Sequence, residues 1–139
     1  MNHGGIIDLG ICKIKMVNAV HSSTLPDQSN GGNPAGFVIW SESVCFYFAG
    51  DTALSWDMKL IPLTCPKLDF AILPMGDVFT MGIQDALIAS DFCDVKTVIA
   101  AHFDTFPPIR MNHEQATQAF SAREKKLIIP HIAQEINWR

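Results

Sequence analysis

The sequence predicts an α+β domain in which antiparallel strands come first and a βαβαβ alternation follows. Three observations carry this. Short runs rich in β-branched and aromatic residues crowd the first third of the chain. Two later runs, LDFAIL and TVIAA, are apolar at nearly every position, as strands buried on both faces are. Between and after them lie stretches with helical periodicity. The 139 residues suit one domain, and 48% hydrophobic against 17% charged content is enough for a packed core.

GIIDLG and CKIKMVNAV read as two strands, the second alternating Ile14 and Met16 against Lys13 and Lys15. His21 to Gly36 is rich in Ser, Asn, Gly and Pro and reads as a long loop. FVIW and VCFYFA are strands joined by the Ser41-Glu42-Ser43 turn. A short helix is expected from Ser55 to Leu63, closed by Pro66. LDFAILPM is a strand ending in a Gly76-Asp77 loop. Ile83 to Phe92 is a helix with Ile83, Leu87 and Ile88 on one stripe. KTVIAAHF is a strand and FDTFPPI a loop. Asn112 caps a helix from His113 to Arg123, and KLIIPHI is the last strand. The helices all come from the second half and can cover one sheet face, which leaves the other face without an obvious partner.

Net charge is -4, and the few basic residues are scattered, which argues against a nucleic-acid surface. Arg123-Glu124-Lys125-Lys126 reads as a solvated helix end. No apolar window reaches the roughly 18 residues of a membrane span. MNHGGIIDLG lacks the pattern of a secretion signal, so a cytoplasmic location is expected. Cys12, Cys45, Cys65 and Cys93 form no CxxC pair and are expected to be reduced thiols.

Polar groups recur where strands end: His21 after VNAV, Asp51 after CFYFAG, Asp77 after AILPMG and His102 after TVIAA. Imidazoles with a carboxylate form a normal zinc, manganese or iron ligand set. Each residue also has a structural reading. A His after a strand is often a satisfied structural residue, Asp51 before Thr52 could cap a helix, and Asp77 could serve a turn. The separations match no compact local motif. Gly31 to Gly36 lacks the Gly-Lys-Ser/Thr of a phosphate loop, and His113 and His131 read as structural.

AVHSS (Ala19–Ser23), NPAGFVI (Asn33–Ile39), YFAGDTALSWDMKLI (Tyr47–Ile61), DFAILPMGDVFTMG (Asp69–Gly82) and AHFDTFPPI (Ala101–Ile109) together resemble the metallo-β-lactamase-fold hydrolases. The branch they are most similar to is the one like ascorbate-6-phosphate lactonase. The resemblance implies an αββα sandwich, with His21, Asp51 and His102 as metal ligands. It implies that Asp51 ends a buried strand because it holds a metal. Ser22, Thr52, Asp77, Thr80, Met81 and Asp104 would line the pocket or support the ligands, Asp77 and Asp104 by orienting imidazoles. The implied chemistry is attack of a metal-bound hydroxide on a lactone, ester or phosphodiester, with zinc or manganese as cofactor.

Val78 stands where relatives usually have Asn, and Phe103 where many have Tyr. The family's HxHxDH motif does not occur in this sequence. The resemblance therefore implies that residues 1–139 are a partial domain, one half of the sandwich, that holds metal weakly or not at all and is inactive alone. The expected partners are a small-molecule substrate in the intact family and, for this chain, a second copy or an N-terminal half-domain, with no nucleic acid or membrane. A non-enzymatic truncated or oligomerising module is the alternative. A nucleotide-binding α/β protein rests only on the βαβαβ tail and the glycine run.

Overall fold

The computed structural model describes residues 1–138. Its seven strands form one sheet in sequence order. β1 (Ile6–Asp8), β2 (Lys13–Asn18), β3 (Ala35–Trp40) and β4 (Cys45–Phe48) make an antiparallel meander. From β4 onward the pairing is parallel through β5 (Phe70–Pro74), β6 (Thr97–Ala101) and β7 (Lys126–Ile128). Parallel neighbours need crossovers, and helices supply them. A 3-10 turn, Trp56–Leu60, runs into α1 (Ile61–Thr64), then α2 (Ile83–Phe92) and α3 (His113–Ser121) follow.

Strands laid down in order with right-handed crossovers put every helix on the same face. The hydrophobic core agrees. Val38, Tyr47, Ala71 and Val98 share one register row, and all belong to the core with Ala86 and Leu87 of α2 and Ala116 and Phe120 of α3. The opposite face carries a second row, Met16, Phe37, Phe48, Ile72, Ile99 and Ile128, none of which joins that core. This face is partly covered by the chain's own end. Trp138 lies on Phe70, ring centroids 4.5 Å apart, and Phe70 stacks on Phe46 at 5.0 Å. Phe48 nevertheless remains 42% exposed.

Local differences from the sequence expectations have local causes. The Ser55–Leu63 helix is a 3-10 turn followed by one α turn, because Pro62 has no N–H to continue the ladder and suits a first helical turn instead. β7 stops at Ile128 rather than reaching Ile132, since Pro130 cannot donate to a ladder. Ile88 is exposed, and the inner stripe of α2 is Ala86, Leu87, Ala89 and Ser90. Asn112 caps α3 as expected, its side chain accepting from the Gln115 N–H, and α3 ends at Ser121. No described helix is long and apolar enough to cross a membrane.

All four cysteines are free thiols. Burial pushes Cys45 up to about 11 and Cys93 up to about 12. At pH 8 a thiol reagent should therefore modify Cys12 and Cys65 first. Cys45 and Cys93 should react only as the fold opens. Equal rates at all four positions would contradict this core.

Candidate metal centre

Strand direction collects the polar residues. β2, β4, β5 and β6 run the same way, so their C-terminal ends share one edge of the sheet. His21 and Asp51 lie just past β2 and β4, and Asp77 and His102 just past β5 and β6. Residues far apart in sequence thus meet on one rim, held by rigid strands.

Gly50 lets the chain leave β4. Its φ is 65°, and a Cβ there would sit 3.0 Å from the Ala35 carbonyl oxygen. Thr52 then staples two loops together. Its hydroxyl is fully buried, accepts from the Val20 N–H at 2.9 Å and donates to the Ala53 carbonyl at 2.8 Å. The Ala53 N–H returns a bond to the Val20 carbonyl at 3.0 Å. The residue before His21 is therefore fixed against the residues after Asp51. Thr52→Val keeps the shape but leaves the part-buried Val20 N–H without its acceptor. It should cost about 1–3 kcal/mol in chemical denaturation, and an unchanged midpoint would refute the staple.

The Asp51 Oδ2 lies 3.6 Å from the His102 Nε2. The other ring nitrogen, Nδ1, is buried and has no partner. His102 also adopts φ 52°, a left-handed conformation that non-glycine residues seldom take. Phe48, Ile72 and Pro74 wall a small cleft of about 40 Å³ beside the pair. Gly76 sets the position of His102: a Cβ there would run into the His102 carbonyl oxygen and come 2.9 Å from the Ile109 Cβ.

The other residues expected at the site are distributed differently. His21 is half-buried, and its Nδ1 contacts the Ser22 carbonyl at 2.9 Å, while Ser22 itself is exposed. Among the described residues no three His, Cys, Asp or Glu side chains form a group able to hold a metal. Asp77 turns its carboxylate to its own loop, accepting from the Val78 N–H at 2.7 Å, rather than orienting an imidazole. Asp104 accepts from the Met111 N–H at 2.8 Å and pairs with the His113 Nε2 at 2.6 Å. Those two contacts hold its carboxyl below the ordinary aspartate range. Asp104 therefore orients His113, not His21 or His102. Met81 is fully buried in the core, and Thr80 has a buried hydroxyl without a partner. Sequence reasoning missed Gly76. Its only signal was a glycine directly after a strand, which marks a loop as readily as a close approach.

Residues 1–103 match the family described as the Beta-lactamase superfamily domain. The chain belongs to the β-lactamase superfamily. Within it, a UPF0173 metal-dependent hydrolase from Christiangramia forsetii is 52% identical over 136 residues, covering 98% of this chain and 60% of that relative. A second from Thermus thermophilus is 46% identical over 125 residues, covering 90% and 54%. The solved structure of Igni18, a metallo hydrolase from Ignicoccus hospitalis, superposes with a TM-score of 0.80 at 32% identity, covering 93% of this chain and 56% of that one. The chain thus spans little more than half the length of these relatives. All three are described as metal-dependent or metallo hydrolases.

A carboxylate and an imidazole side by side, with a second imidazole nitrogen buried and unpartnered, suit a divalent metal ion in donor type. The pair fills fewer positions than a hydrolytic metal requires.

Proposed function

We propose that this chain contributes part of the metal centre of a hydrolase acting on a lactone, ester or phosphodiester. Asp51 and His102 hold a divalent cation, zinc or manganese, and His21 joins them once it gives up its contact to the Ser22 carbonyl. The observation that carries the reading is the 3.6 Å approach of Asp51 to His102 at the shared strand edge. The left-handed His102 supports it, because strained backbone clusters at functional sites. When bound, the metal supplies Lewis acidity and acidifies water. The chain's own part is to orient the two donors: Gly50 and Thr52 aim Asp51, and Gly76 seats His102. Phe48, Ile72 and Pro74 wall one side of the cleft beside the pair.

The ascorbate-6-phosphate lactonase-like branch gives the proposed reaction type. The remaining ligands belong to a segment corresponding to the part of the relatives that this chain does not match. The test is a calorimetric titration of the chain with Zn²⁺ and Mn²⁺, followed by lactone and phosphodiester assays with and without that segment. Saturable binding with activity only in the mixture is expected. No binding below millimolar would overturn the proposal and favour a non-enzymatic module.

The same reading assigns a partner to the apolar face opposite the helices. The chain exposes 8448 Å² at 15.3 kDa, whereas a compact monomer of that mass exposes roughly 7,150 Å². In sedimentation the isolated chain should associate with itself, or with the matching segment when that is present. A monodisperse monomer at high concentration would refute this assignment.

A further inference from the structure

His113, at the start of α3, is joined by two contacts to the segment that carries His102. Its Nε2 donates to the Asp104 Oδ2 at 2.6 Å, since an ionised carboxylate only accepts. Its ring also meets the Phe103 ring edge-on, with centroids 5.6 Å apart and planes at 86°. Phe103 and Asp104 are the two residues directly after His102.

Asp104 is the hub of the turn that follows. Its N–H donates to the Ile109 carbonyl at 2.9 Å, and its Oδ1 accepts from the Met111 N–H at 2.8 Å. Ile109 is buried and packs so closely on Gly76 that a Cβ there would come 2.9 Å from the Ile109 Cβ. That same Cβ would run into the His102 carbonyl oxygen. The contacts therefore close a circuit. It runs from the His102 carbonyl to Gly76, Ile109, Asp104 and His113, and returns through Phe103. His102 and Asp104 both hold left-handed backbone, with φ of 52° and 60°. Such conformations persist where the surroundings over-determine them.

Global stability is a poor account of the His113–Asp104 pair. The two side chains are 51% and 38% exposed, and an ion pair so open to water adds little to the fold. The pair instead ties an irregular turn to the first turn of a helix, which Asn112 caps. It also adjoins the candidate metal centre. Phe103, Asp104 and His113 border a cavity whose walls include Ile72 and Ala101, and those two residues also wall the cleft beside Asp51 and His102. Asp104 makes no hydrogen bond to the His102 ring, whose Nδ1 has no partner, so its influence runs through the backbone.

We propose that His113 is a positioning residue for the metal centre: through Phe103 and Asp104 it holds the His102 segment so that the imidazole faces Asp51. This rests on the hydrolase reading of Asp51 and His102. The experiment compares the full native chain with His113→Ala and His113→Gln. The Gln amide nitrogen stands where Nε2 does and can still donate to Asp104. In the metal-free chain, hydrogen exchange at the Asp104 amide should be about tenfold faster in His113→Ala, with the β5 and β6 amides and Tm unchanged. Zn²⁺ affinity in calorimetry should fall about tenfold or more. His113→Gln should recover most of both. Native exchange at Asp104 in His113→Ala would overturn the proposal, and so would native Zn²⁺ affinity in that variant. A lower Tm with exchange faster across the whole sheet would also overturn it, because His113 would then serve only the fold. So would equal loss of Zn²⁺ in both variants with native exchange, which would make His113 a ligand. A native chain that binds no Zn²⁺ defeats the hydrolase reading alone, and exchange at Asp104 then still decides whether His113 holds the His102 segment.

Discussion

Gly76→Ala is expected to destabilise the protein by about 2–3 kcal/mol, the usual cost of forcing atoms into a packed position. For a domain of this size that lowers Tm by roughly 10 °C. The cause is specific: the added methyl would collide with the His102 carbonyl oxygen and press on Ile109. Neither is the free end of a flexible side chain, so the backbone must move. His102 moves with it, and metal affinity should fall along with stability. Gly82→Ala is the control. A Cβ there would meet only the Asp77 carboxylate carbon and oxygen at 3.3 Å, and that side chain can give way. It should cost less than about 1 kcal/mol. Equal Tm values for the two variants in calorimetry would show that Gly76 does not seat His102.

Removing the donors should separate binding from folding. Asp51 is half-exposed, and Asp51→Asn preserves its shape while deleting the charge. The fold should change by no more than about 0.5 kcal/mol. Affinity for Zn²⁺ or Mn²⁺ should drop by about 100-fold or more, beyond the loss seen when only a supporting partner of a ligand is removed. At His102 the left-handed backbone limits the choice of residue. Asn tolerates that conformation better than Ala does. His102→Asn should therefore keep the melting temperature while losing metal, whereas His102→Ala adds backbone strain. If calorimetry finds native metal affinity in both Asp51→Asn and His102→Asn, the pair is not a metal site.

Much of the architecture was legible because it obeys local rules. Alternating Ile14 and Met16 marked β2, unbroken apolar runs marked β5 and β6, and Asn112 marked the start of α3. The misses were also local competitions. Pro62 and Pro130 overrode patterns that would otherwise have continued, and Ile88 matched a helical stripe by spacing but faces solvent. Asp104 was expected to support a ligand imidazole. It supports His113 instead, because a tight turn brings Met111 and the start of α3 back to it.

The sequence by itself determined the order of strands and helices, and it placed a polar residue after each of four apolar runs. Those are consequences of periodicity and turn chemistry, which act over a few neighbours. Only the tertiary structure decided that Asp51 and His102 stand 3.6 Å apart while His21 turns to Ser22, and that Gly76 is the contact that seats His102. Such distances depend on how parallel strands align and how closely loops pack across them. No pattern along the chain encodes that separately from the fold.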